Sequence, residues 1–130
     1  MLVLLILLIV VPVTAWLWAR RRQPSRVWLV TGFAFGAIVS PFSRGLYSTY
    51  FFGPIGAFPG WLGLSLNLFH GVPGFEIATF LGLLDPRHVG EGVEDLYVEG
   101  LNGLVWGVAY GFVGWCIDRL RLLGQSRVAP

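Results

Sequence analysis

Few residues in this chain have the chemistry for a reactive site. His70 stands in the apolar context Asn67-Leu68-Phe69-His70-Gly71, and Glu76 follows six residues later. An ionisable group at membrane depth is a functional candidate by default. The pair suggests three chemistries: haem ligation, a hydrogen bond to a quinone, or a proton relay between imidazole and carboxylate. A bis-His haem site needs a second histidine in another span, but His88 falls in the polar turn Asp85-Pro86-Arg87-His88-Val89-Gly90. The alternative is a structural or interfacially hydrated His70. No cofactor is expected; contact with haem, quinone or a pigment through His70 stays open.

A second candidate is acidic. Glu91, Glu94, Asp95 and Glu99 recur at i, i+3, i+4 and i+8, which is one face of a helix. A calcium site takes about six to eight oxygen ligands on a shaped loop, and no EF-hand pattern is present. The expectation is a solvated face, a dock for a basic partner, or simple complementarity to a helix N-terminus, with no metal. Ser65 lies in no nucleophile motif, and no metalloprotease, Walker A or dinucleotide-binding pattern occurs. The GFAFG of residues 32–36 lies inside an apolar run and cannot cradle a phosphate there. No catalytic residue is assigned, and the chain is not expected to be an enzyme.

Those residues must be positioned by membrane helices. The chain has 130 residues, 55% hydrophobic and only 12% charged, with mean hydropathy +0.72. Soluble domains carry about 25% charged residues. The deficit points to a lipid solvent and a single membrane domain. A net charge of +2, with its arginines pinned between apolar runs, gives no nucleic-acid surface. Cys116 is the one cysteine, so no intrachain disulfide is possible.

Three spans are expected, over residues 2–19, 27–42 and 98–118. The first contains Pro12, with Thr14 placed to satisfy a carbonyl that the proline frees. It reads as a retained helix, since no basic residue precedes its apolar run as in a signal peptide. Trp16 and Trp18 suit an interfacial belt. Arg20, Arg21, Arg22 and Arg26 then put the first loop in the cytoplasm and the N-terminus outside. The second span carries Gly32 and Gly36, with Phe33 and Phe35 on other faces. The third, part of a helix expected over residues 93–122, carries Gly100, Gly103, Gly107, Gly111 and Gly114 as one stripe. Asn102, Trp106 and Tyr110 run beside it. Small residues let membrane helices approach closely, and one amide can hydrogen-bond across to a neighbour. The stripe exceeds what Gly32 and Gly36 can cover, so its remainder is expected to bind a partner. Asp118 is expected to pair with an arginine of the first loop. Arg119, Arg121 and Arg127 put the C-terminus in the cytoplasm.

Residues 43–97 are rich in aromatics, Gly and Pro. With both ends outside, this region crosses zero times or twice. The reading is an interfacial or re-entrant region with helices over residues 51–69 and 75–84. A two-pass hairpin, making five crossings, is the alternative. The C-terminal pattern, Asn-Gly, an aromatic–glycine helix and an Asp-Arg-Leu-Arg end, looks like that of many small bacterial membrane proteins and implies no activity.

The expected fold is thus an all-α integral membrane protein in the bacterial cytoplasmic membrane, its site defined by packing and not by chemistry. The expected function is a non-catalytic small subunit packing against larger membrane partners, aiding assembly or stability of a complex, respiratory or photosynthetic complexes being examples. A small homo-oligomeric transporter or channel is the second reading, and a cofactor or enzyme protein using His70 and Glu76 the third.

Overall fold

In the computed structural model, which describes residues 2–52, 57–84 and 93–126, the chain is helical almost throughout, with no strand among the described residues. Among the described residues five α-helices follow in order: α1 Leu2–Arg22, α2 Val27–Phe52, α3 Ala57–His70, α4 Val72–Phe80 and α5 Val93–Ser126. One turn of tighter helix, Pro24–Arg26, joins α1 to α2. Among the described residues two stretches, Pro24–Tyr47 and Leu96–Gln125, are long and apolar enough to cross a bilayer, by length and composition.

α1 continues through Pro12. The proline lacks the N–H that would reach the Leu8 carbonyl. Thr14 does not serve that carbonyl: its hydroxyl donates to Val10 O at 2.8 Å and Val11 O at 2.9 Å. The correction is geometric, since a helical hydroxyl reaches back only three or four residues.

α2 outruns its expected end near residue 42 by ten residues, to Phe52. Pro41 lies inside it and leaves the Ala37 carbonyl without its usual donor. That carbonyl faces α5 at Gly103, where an added Cβ would stand 2.8 Å from the Ala37 oxygen. A glycine Cα–H can approach a carbonyl that a side chain would block.

The core of the molecule is the α2–α5 pair. Gly114 lies on the Trp28 carbonyl, Gly32 on the Tyr110 carbonyl and Gly36 on the Trp106 carbonyl. Rising numbers on α2 meet falling numbers on α5, so the two helices are antiparallel. Gly107 and Gly111 are covered by Phe33, whose ring would lie 3.1 Å from a Cβ on Gly107. Phe33, 43% exposed, thus flanks the Gly32–Gly36 face and lays its ring over Gly107. Gly100 is open, with nothing within 4 Å of an added Cβ. Gly103, Gly107, Gly111 and Gly114 all meet α2, which leaves Gly100 as the open member of the stripe.

α3 and α4 form a hairpin beside this pair. Gly63 of α3 lies on the Leu46–Tyr47 backbone of α2, and Gly74 of α4 lies on the Val98 carbonyl of α5. α3 runs down α2 from the level of Tyr47 to a turn at His70–Gly71, and α4 runs back toward Val98. Their 14 and 9 residues span about 21 and 14 Å, short of a hydrocarbon core of about 30 Å. Both arms open toward the same end of the α2–α5 pair. The α4 boundaries fall earlier than residues 75–84 because Pro73 opens that helix near its N-terminus.

Candidate functional site

The polar side chains converge where the hairpin turns. Breaking a helix at His70–Gly71 frees backbone groups that need other partners. α5 supplies the partners. Asn102, fully buried, accepts from Gly74 N at 2.6 Å through Oδ1 and donates from Nδ2 to Gly71 O at 3.0 Å. One turn further along α5, Trp106 Nε1 donates to His70 O at 3.0 Å. Gly71 N closes on Asn67 O at 2.7 Å. Two side chains one helical turn apart thus hold three backbone groups of the turn.

His70 is 5% exposed. Its Nδ1 lies 2.9 Å from Leu66 O and its Nε2 lies 3.0 Å from the Tyr110 hydroxyl. A carbonyl only accepts, so Nδ1 carries the proton and donates to Leu66. In the neutral ring Nε2 then accepts from Tyr110. Trp106 packs at 4.6 Å between ring centroids, and Tyr110 stacks nearly parallel at 6.1 Å. Phe35 of α2 meets the edge of Tyr110 at 5.3 Å. Both imidazole nitrogens are engaged, so an iron or a quinone would have to displace Tyr110 or Leu66. Glu76 is exposed on α4 and makes no hydrogen bond or ion pair among the described residues. The structure does not bring His70 and Glu76 into one relay.

A second polar group lies toward the open end of the hairpin. Ser40 Oγ donates to Glu99 Oε2 at 2.7 Å, and Arg44 Nη1 pairs with Glu99 Oε1 at 3.4 Å. Ser43 donates to Ser40 O at 2.8 Å and stands 3.4 Å from Asn67 Oδ1. Glu99 was expected on a solvated acidic face; instead it faces α2, because Ser40 and Arg44 meet it there. Glu91 and His88 lie outside the described residues, as do the side chains of Glu94 and Asp95. No group of three or more His, Cys, Asp or Glu among the described residues could hold a metal ion.

At the opposite end, Asp118 is buried. It makes no ion pair with Arg20, Arg21, Arg22 or Arg26 among the described residues. Its carboxylate accepts from Trp28 N at 3.2 Å and Leu29 N at 2.9 Å. The first turn of α2 has orphan N–H groups and a positive dipole end, and Gln23 provides no side-chain cap for the turn before it. An acid from α5 performs that task, which explains the correction.

Sequence reasoning did not single out Ser40, Ser43 or Asn67. Each is a polar residue in an apolar stretch, and Asn67 precedes His70 by one turn; that spacing was the available signal. No family model, curated protein or solved structure matches the chain.

Proposed function

We propose that this is a non-catalytic membrane subunit that packs against larger membrane partners and aids assembly or stability of a complex. One observation carries the reading. The five buried polar residues among those described, Ser40, Ser43, His70, Asn102 and Asp118, all spend their hydrogen bonds inside the chain. These bonds tie the α3–α4 turn and both ends of the α2–α5 pair together, which suits a scaffold more than a substrate pocket. The hairpin meanwhile exposes large apolar groups: Phe80 is 89%, Phe69 69% and Leu68 66% exposed.

In this reading α1, with 21 residues or about 31 Å, makes a third crossing with α2 and α5. The arginine-rich ends of α1 and α5 lie in the cytoplasm of a bacterial cell, and the N-terminus and the open end of the hairpin lie outside. A second reading, a homo-oligomeric transporter or channel, is favoured by the re-entrant hairpin itself, since broken helices at membrane depth mark many transporters.

Purification in mild detergent followed by native mass measurement separates the two. The subunit reading expects a hetero-complex heavier than any simple multiple of 14.4 kDa. A homo-oligomer that passes ions or solutes in liposomes would overturn it.

A further inference from the structure

The end of the molecule opposite the hairpin carries a second, unassigned feature. A groove of about 790 Å³ runs between the last turn of α1, the first turn of α2 and the end of α5. Arg20 and Arg121 line it from two sides, with Ser25 and Gln125 as neutral donors and Trp16 and Trp28 as apolar walls. A smaller cavity of about 310 Å³ adjoins it across Ser25 and Leu122 and adds Arg26 and Arg119.

The charge of this groove is unbalanced. Among the described residues, none of Arg20, Arg26, Arg119 and Arg121 has an acidic partner. Asp118, which accepts from the Trp28 and Leu29 N–H groups, lies in the adjoining cavity, and its single negative charge leaves the four arginines in excess. Arg20 lies over the Trp16 ring at 5.2 Å and Arg119 over the Trp115 ring at 5.4 Å. These contacts hold the guanidinium groups beside aromatic walls without neutralising them. Ile117 and Trp28, which line the groove, are themselves partly exposed apolar surface. Anionic oxygen at the mouth and acyl chain along the walls is the shape of one kind of molecule.

We propose that this groove binds the headgroup of an anionic phospholipid, its phosphate held between Arg20 and Arg121 and its chains lying along Trp16 and Trp28. The site rests on the membrane placement given above. Free phosphate shares the headgroup chemistry but has no use for the aromatic walls. Basic pockets between membrane helices on the cytoplasmic side suit such headgroups.

Native mass spectrometry of the detergent-purified protein, titrated with phosphatidylglycerol or phosphatidylcholine, tests this. Phosphatidylglycerol adducts should form at concentrations at least tenfold lower than phosphatidylcholine adducts. The double variant R20Q/R121Q should weaken phosphatidylglycerol binding on the order of 30-fold, as expected for two juxtamembrane arginines. The charge-matched variant R21Q/R22Q, outside the groove, should weaken it less than threefold. Equal binding of the two lipids, or equal losses in the two variants, would overturn the site in favour of diffuse surface charge. Displacement of bound phosphatidylglycerol by millimolar inorganic phosphate would overturn the lipid in favour of free phosphate. If the protein fractionates into buffer without detergent, the membrane placement fails and the site with it. A membrane-held protein without lipid preference leaves that placement intact and sinks the site alone.

Discussion

Asn102→Ala should unseat the α3–α4 hairpin and cost about 2–6 kcal/mol of stability, from two buried backbone groups at about 1–3 kcal/mol each. The substitution strips the partner from Gly74 N–H and from Gly71 C=O at once. Gly74 is buried and Gly71 half-buried, and in the proposed membrane placement lipid supplies no donor or acceptor. Thermal unfolding in a fixed detergent, followed by circular dichroism, reads the loss. The hairpin should also become the first segment cut by limited proteolysis, while the α2–α5 pair stays intact. Unchanged melting would mean that the turn satisfies its backbone by other means, and the role given to Asn102 would be wrong.

Gly36→Ala should be as damaging, and Gly111→Ala should be tolerated, although both add one methyl to one interface. A Cβ on Gly36 enters the backbone of Trp106, with Gly107 N 2.7 Å away. Backbone cannot swing aside as a side chain can, so the helices must part along their length. A loss of about 3 kcal/mol or more is expected, at the upper end of overpacking costs. At Gly111 the nearest atom is Phe33 Cβ at 3.4 Å, then Leu29 O at 3.6 Å, both ordinary contacts. There the change should stay within about 0.5 kcal/mol, helped by the better helix propensity of alanine. Side-by-side melting of the two variants checks this. Equal effects would show that the α2–α5 contact is not the close antiparallel approach described.

The helical class and the pairing surfaces were legible because their signals are periodic. Gly32 and Gly36 on one helix, and Gly103, Gly107, Gly111 and Gly114 on another, are spaced to form faces, and small faces invite close approach. What periodicity cannot reveal is which face a partner occupies. Phe33 filling the space over Gly107, and Gly100 facing away, depend on the crossing of two helices. Charge reasoning misled at Asp118, since it weighs charged side chains against one another and overlooks the N–H groups of a helix end. His70 drew attention for its chemistry, yet both ring nitrogens are used to anchor a turn. Asn102 was read as glue between helices, and it does bridge elements, but to backbone freed at a chain reversal. The second span was expected to end at residue 42; α2 instead runs on through Pro41, and the antiparallel neighbour at Gly103 accommodates the carbonyl that the proline frees.

Single-cysteine labelling with a membrane-impermeant maleimide, in a Cys116→Ser background in intact cells, tests the three-crossing arrangement with its re-entrant hairpin most directly. A cysteine replacing Leu83, past the end of α4, should label from outside. One replacing Gln23, in the α1–α2 turn, should label only after the cytoplasmic face is opened. One replacing Val72, at the hairpin tip, should label from neither side without detergent. Labelling at position 72 from the cytoplasm alone would mean that the hairpin crosses the membrane, and would contradict the arrangement.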